Sequence, residues 1–288
     1  MVEISDTLAM DAAARERRRR IRRPHRLTPR PDERVMVLGQ AVDLVRPEEV
    51  LHRVGAAIRE RRRFVVANHN LNSLNLIRDD VEMQRFYRSA DLVEVDSTPL
   101  IAFARLLGIG GRRFHRCTYL DWRDHFWSLA DRNGWRVMQV GGAAGVGDLA
   151  AERLARRYPR VVIRSRHGYF DVKPGSAENA AVLAEIGAFR PDVLFVGMGM
   201  PRQEHWVIRN LEALPHCPIL TVGAAFDYEA GVQAAAPRWM GQMGLEWLYR
   251  LARDPRRLFR RYCIEPWGLA GPALRDIGAA LRRSSGRH

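Results

Sequence analysis

Residues 135–157 read WRVMQVGGAAGVGDLAAERLARR. An apolar run from Trp135 to Val140 breaks at Gly141-Gly142-Ala143-Ala144-Gly145-Val146-Gly147, and a stretch of helical character follows over 146–157. A strand that ends in a glycine turn and feeds a helix is the opening of a βαβ unit. The texture repeats outward on both sides. β-rich runs at Phe64–Ala67, Leu92–Val95, Val161–Ile163, Val193–Val196 and Ile219–Val222 alternate with helical candidates at 47–62, 71–90, 98–108, 121–132, 177–188 and 201–213. Strands separated by helices of this length predict an α/β fold, with a Rossmann-like, mostly parallel sheet and helices on both faces. In open sheets of that kind ligands bind beyond the carboxyl ends of the strands, so the strand-end loops are where chemistry is expected.

Those loops carry several candidates. Gly141–Gly147 offers backbone N–H groups at a helix N-terminus, which suit a phosphate or diphosphate. Its spacing is not G-x-G-x-x-G and no acid closes the next strand, which argues against a dinucleotide site; a structural tight turn fits equally well. Asp96 ends the run Leu92–Val95 and precedes Ser97-Thr98-Pro99. It is either a helix cap or a lone carboxylate poised as general base for a hydroxyl. Glu94-Val95-Asp96 has the look of an acidic triplet that holds a metal–nucleotide diphosphate, but no Asp-x-Asp occurs and no metal is expected. Gly197-Met198-Gly199-Met200-Pro201-Arg202-Gln203-Glu204 again follows a strand and opens a helix. Its glycines permit close approach, while Arg202 and Gln203 bring donors for diphosphate or sugar hydroxyls. Gly223–Asp227 makes a third such loop. His167-Gly168-Tyr169-Phe170 makes a fourth, in which His167 reads as an ordinary loop residue.

Composition narrows the class. With 288 residues, 47% apolar and 28% charged, the chain is globular, not collagenous, disulfide-rich or disordered throughout. Its apolar stretches fall well short of the ~20 residues of a membrane-spanning helix. The Arg run at 17–23 leads into Pro24 with no apolar segment behind it, so no secretory signal is expected. Cys117, Cys217 and Cys263 lie far apart, which fits a reducing cytoplasm. The net charge of +14 is concentrated at the ends: ten arginines against six acids over residues 1–34, and ten against four over 241–288. A basic rim on a nearly neutral middle points to a polyanionic partner such as phospholipid, nucleic acid or a diphosphate. Three parts are expected: an Arg-rich mobile tail over 1–34, an α/β domain over 35–244, and a basic amphipathic appendage over 245–288. Within the appendage, Arg250, Arg257 and Arg260 are spaced by 7 and 3, on one side of a continuous helix.

The motifs, taken in order, resemble one family. GG-x-x-G at 141–145, HGYF at 167–170, VGMGMPRQE at 196–204, VGAAFD at 222–227, AGVQAAAPRWM at 230–240 and EWLYRLARDPRRLFRRY at 246–262 look like those of the WecG/TagA/CpsF glycosyltransferases. ADLVEVDSTPL at 90–100 stands where that family has A-D-x-x-x-x-D-G. The likeness covers roughly 60–262. Asn68-His69-Asn70-Leu71 looks closer to the GumM-like exopolysaccharide glucosyltransferases. The resemblance implies an inverting transferase, independent of metal and cofactor. It would move a hexose (glucose or N-acetylmannosamine) from a UDP-sugar to a polyprenyl-diphosphate-linked sugar, working as a peripheral protein on the cytoplasmic face of the membrane. Carried over by residue, Asp96 is the catalytic base. Asn70 falls on the family's Asn, Asn68 stands where many members have Thr, and Gln203 matches the Gln of the P-K/R-Q-E segment. Arg250, Arg257 and Arg260 match the arginines of the family's appendage, which bind diphosphate near the membrane. Gly141, Gly142, Gly199 and Asp227 complete the expected substrate-binding residues. Ser97 departs from the usual Gly and narrows the approach to the backbone there.

Two rival readings accompany this one. A nicotinamide-dependent oxidoreductase is supported by the sheet pattern and glycine turns. A basic nucleic-acid-binding module is supported by the charge, but the basic residues are terminal and the loops lack aromatic platforms, so nucleic acid is not expected as a partner. Which UDP-sugar is used stays open, as does the oligomeric state, a homo-oligomer included.

Overall fold

The structure, a computed structural model, describes residues 30–285 apart from 235, 238, 239, 241 and 242. The predicted tail over 1–29 lies outside the described residues, as does part of AGVQAAAPRWM. Residues 30–34, expected in that tail, instead pack on the domain. Glu33 is buried against Arg53, whose guanidinium donates to both carboxylate oxygens at 2.5 and 2.7 Å. Residues 30–34 are therefore packed together with the described domain.

The chain opens with an antiparallel hairpin, β1 (Arg34–Val37) and β2 (Gln40–Asp43), which the sequence reading missed. Its two-residue turn, Leu38-Gly39, has both φ angles positive, the geometry that matches the twist of the flanking strands. There follow α1 (Pro47–Arg59), β3 (Phe64–His69), α2 (Leu71–Leu76), α3 (Val81–Ser89), β4 (Leu92–Val95), α4 (Thr98–Leu106) and α5 (Tyr119–Asn133). Next come β5 (Arg136–Gly141), α6 (Val146–Arg157), β6 (Val162–Arg166), α7 (Ala177–Phe189), β7 (Val193–Gly197), α8 (Arg202–Asn210), β8 (Pro218–Thr221) and α9 (Ala225–Glu229). The appendage contains α10 (Glu246–Arg253), α11 (Pro255–Phe259), a wide π-type turn (Arg260–Ile264), a 3₁₀ turn (Glu265–Leu269) and α12 (Ala270–Ser285).

All six predicted sheet strands form, and they make one wholly parallel sheet in the order β4-β3-β8-β7-β5-β6. Both faces are covered, as a parallel sheet requires. Alternation along the strands divides the core in two. Phe64, Val66, Leu92, Val137, Val193 and Leu220 pack towards α1, α5 and α6, while Val65, Ala67, Val93, Met138, Leu194 and Ile219 pack towards α3, α7 and α8. The expected helix over 71–90 is two helices, because Asp80 accepts from Met83 N at 2.9 Å and restarts the helix as α3.

From β3 the chain steps outward to β4, and the other four strands lie on the opposite side of β3. The order therefore reverses at β3, and a crevice opens above β3 and β8, where open α/β sheets bind ligands. The hairpin flanks β4 and is pinned to it by Val93 N donating to Asp43 Oδ2 at 2.7 Å. The appendage returns to this end of the sheet. Leu258 and Leu269 are buried, Arg78 donates to Gly268 O at 2.6 Å, and Leu38 N donates to Asp276 Oδ2 at 2.6 Å.

Candidate active site

The carboxyl ends of β3 and β4 supply the first wall. Asn68 and Glu94 are partners in the parallel register, so their side chains share a face, and Asn68 donates to Thr221 O at 2.7 Å. Asn70 caps α2 by accepting from Ser73 N at 3.1 Å. Asp96 N donates to His69 O at 2.8 Å, a backbone bond that fixes where β4 ends relative to β3. Ser97, not Asp96, caps α4, accepting from Leu100 N. With the cap supplied by Ser97, the Asp96 carboxylate is left facing the crevice.

A short extended stretch after α4 runs beside β4, with Cys117 N donating to Val95 O at 2.9 Å. It carries Arg116, which the sequence reading missed. Arg116 donates to Glu246 Oε2 at 2.7 Å and lies 4.0 Å from Asp96 and 3.7 Å from Asp121, with only 14% of its side chain exposed. Nothing in the sequence separates it from Arg112 and Arg113, its exposed neighbours. Glu246, also missed, accepts in turn from Arg250, whose guanidinium donates to Tyr228 Oη at 2.8 Å as well. Carboxylates and arginines thus alternate across the gap between domain and appendage.

Two joined compartments result. The larger, about 590 Å³, reaches down to Val66, Glu94, Cys117, Trp122 and Leu220 and is bounded by the strand-end loops at Gly199–Gln203 and Gly223–Asp227. The smaller, about 320 Å³, is lined by Leu71, Pro99, Trp247 and Pro266. Asn70, Asp96, Glu246, Arg250, Arg261 and Tyr262 border both.

The electrostatics follow from enclosure. Asp96 keeps 37% of its side-chain surface, opening on the compartments, yet it is surrounded by protein. Burial pushes its pKa up to about 7, against the pull of Arg116 and with a further push from Glu246. Glu94 is buried deeper, and desolvation raises its pKa to about 8; Cys117 Sγ donates to Oε1 at 3.0 Å. Behind the far wall Glu204 is buried and raised to about 7 by desolvation, and it accepts from Gln203 Nε2 at 2.8 Å. His69, stacked on Tyr87, is lowered to about 3 by burial and stays neutral.

The expected site residues divide accordingly. Asp96, Asn68, Asn70, Gly199, Gln203, Asp227 and Arg250 all line the compartments. Gly141 and Gly142 do not, and their role in the structure is steric. A Cβ at Gly141 would lie 2.2 Å from Gly197 O, so this glycine lets β5 and β7 close up, while Gly142 takes a positive φ of 68° in the turn. Arg260 is 81% exposed, outside both compartments, and approaches Glu265 at 3.7 Å. The continuous helix assumed for its spacing is interrupted at Asp254 and widened by the π-type turn, and Arg261 takes the place at the wall. The side chain of Arg257 lies outside what the structure describes. Among the described residues, no three His, Cys, Asp or Glu side chains gather as a metal site.

The Glycosyl transferase WecG/TagA/CpsF family matches the chain over residues 35–283. Among curated proteins the chain is similar to N-acetylglucosaminyldiphosphoundecaprenol N-acetyl-beta-D-mannosaminyltransferases of Staphylococcus aureus, 32% identical in strain MRSA252 and 31% in strain MW2. Each match covers 146 residues, which is 51% of this chain and 56% of the relative, about half of either.

Proposed function

The chain belongs to the WecG/TagA/CpsF glycosyltransferase family, and from that premise we propose that it transfers a hexose from a UDP-sugar, with inversion, to a polyprenyl-diphosphate-linked sugar. The hexose is glucose or N-acetylmannosamine, in assembly of an exopolysaccharide or another cell-surface glycan. The observation that carries the reading is Asp96, a carboxylate with a raised pKa at the junction of two compartments. The deep, polar compartment suits the nucleotide sugar. The smaller one, walled by Leu71, Pro99, Trp247 and Pro266, suits the lipid-linked acceptor.

In this mechanism Asp96 accepts the proton of the acceptor hydroxyl as its oxygen forms a bond to the anomeric carbon. The bond from that carbon to the diphosphate breaks on the opposite face, and UDP leaves with the electron pair. Arg250 and Arg261 border the cavity and supply positive charge to the departing diphosphate, so the reaction needs no metal. Asn68 offers its amide oxygen and Asn70 its amide nitrogen to sugar hydroxyls, and Gln203 and Asp227 line the donor side.

No described helix is long and apolar enough to cross a membrane. The appendage nevertheless exposes Phe259, Ile264, Trp267 and Leu274 among its arginines. That mixture supports peripheral attachment to an anionic leaflet, on the cytoplasmic face where nucleotide sugars are available. Turnover of a panel of UDP-sugars on short-chain polyprenyl-diphosphate-sugar acceptors tests the proposal; transfer from none of them would overturn it.

A further inference from the structure

Glu94 has no part in the mechanism above, yet it occupies a telling position. It follows Leu92 and precedes Asp96 on one face of β4, and residues two apart on a strand lie roughly 6.6 Å from each other. Asp96 borders both compartments, whereas Glu94 lines only the larger. If Asp96 receives the acceptor's proton, the anomeric carbon sits next to it, and the donor hexose extends inward over Glu94.

The surroundings of Glu94 mix polar Asn68 and Asp96 with apolar side chains. Val66, Leu220 and Trp122 form the floor around it, and the Cys117 thiol supplies a weak hydrogen bond to Oε1. A small number of polar groups on an otherwise apolar floor is how a small-molecule pocket fixes ligand orientation. Its neighbour across the register, Asn68, is already engaged with Thr221 O through its amide nitrogen. A carboxyl kept neutral by burial can both donate and accept, as a sugar hydroxyl does. It also adds no negative charge beside the donor diphosphate.

We propose that Glu94 is a specificity-determining residue that hydrogen-bonds one hydroxyl of the donor hexose. The proposal rests on the glycosyltransferase reading and sharpens it. The Glu94-Val95-Asp96 triplet is then divided by task, with Asp96 taking the proton and Glu94 reading the sugar.

The test compares wild type, Glu94→Gln and Glu94→Leu, using the UDP-hexose that wild type turns over best and its singly deoxygenated analogues. Binding of each donor and of UDP alone is measured by calorimetry beside kcat/KM. Wild type should lose on the order of 10²-fold in kcat/KM on one deoxy analogue, since a buried polar group is then left unpaired. Glu94→Leu should lose a similar factor on the parent donor and almost nothing further on that analogue, while binding UDP normally. Glu94→Gln, which keeps hydrogen-bonding groups, should retain most of the discrimination. Equal loss on every donor with Glu94→Leu, or no loss, would overturn the proposal and leave the transferase reading intact. A wild type that neither binds nor uses any UDP-hexose would bring down both.

Discussion

Arg116 Nη2 donates to Glu246 Oε2 at 2.7 Å, joining the stretch beside β4 to the first turn of the appendage across 130 residues of sequence. The pair closes the wall next to Asp96, with Arg250 on the other side of Glu246. A charge-assisted bond of this kind contributes about 1.5–3 kcal/mol. Arg116→Ala and Glu246→Ala should each lower kcat/KM by roughly 10–100-fold, and the double variant should lose much less than the product of the two. Steady-state kinetics on the four proteins decides it; strict additivity would show that the two residues do not act together.

In its proposed role as base, Asp96 must be deprotonated to act. Its pKa is raised to about 7 by burial, with Arg116 and Arg250 opposing and Glu246 and Asp121 adding to the rise. The value of kcat/KM should therefore climb as pH rises through about 7. Asp96→Asn should lose ~10²–10⁴-fold and flatten that limb, with UDP binding nearly unchanged. A variant with near-normal turnover would refute the assignment.

Within the appendage the arginines should separate by position. Arg250→Gln and Arg261→Gln, at the cavity wall, should cut turnover while leaving vesicle binding close to normal. Arg260→Gln, exposed, should weaken binding to anionic vesicles at low salt and leave turnover on a water-soluble acceptor close to normal. Truncation after Gly244 removes Glu246 and both wall arginines. It should nearly abolish transfer with the α/β core still folded by circular dichroism. Full transfer by the folded truncation would reduce the appendage to a tail.

Treatment with EDTA should leave the initial rate unchanged, because the proposed mechanism has arginine compensate the leaving diphosphate. Loss on chelation, restored by Mn²⁺ or Mg²⁺, would return Glu94 and Asp96 to consideration as metal ligands.

The sheet was legible because its strands are short, apolar and separated by helices, so each declared itself locally. Leu92–Val95 and Val193–Val196 needed almost no adjustment, and the strand-end glycines marked the crevice. The hairpin escaped because Arg34–Val37 and Gln40–Asp43 mix charged and apolar residues and owe their pairing to contacts with β4. Asp96, Asn70 and Gln203 stood out through the family pattern. Arg116 and Glu246 did not, since their importance lies in a contact between distant segments that no local spacing records. The misplacing of Arg260 has a similar cause: helical periodicity holds only while the helix is unbroken, and Asp254 breaks it.

The clasp between Leu38 and Asp276 also bears on how the protein is made. As the chain emerges from the ribosome, β3 and β4 can pair early, since domains assemble from the N-terminal side during synthesis, whereas β5, β6 and β7 join them only through β8. Glu246, Arg250 and the helix that fastens to Leu38 follow the whole sheet out. A nascent chain thus acquires the proposed base long before it acquires a closed cavity. On the proposed function, transfer waits until the appendage has been made and has docked.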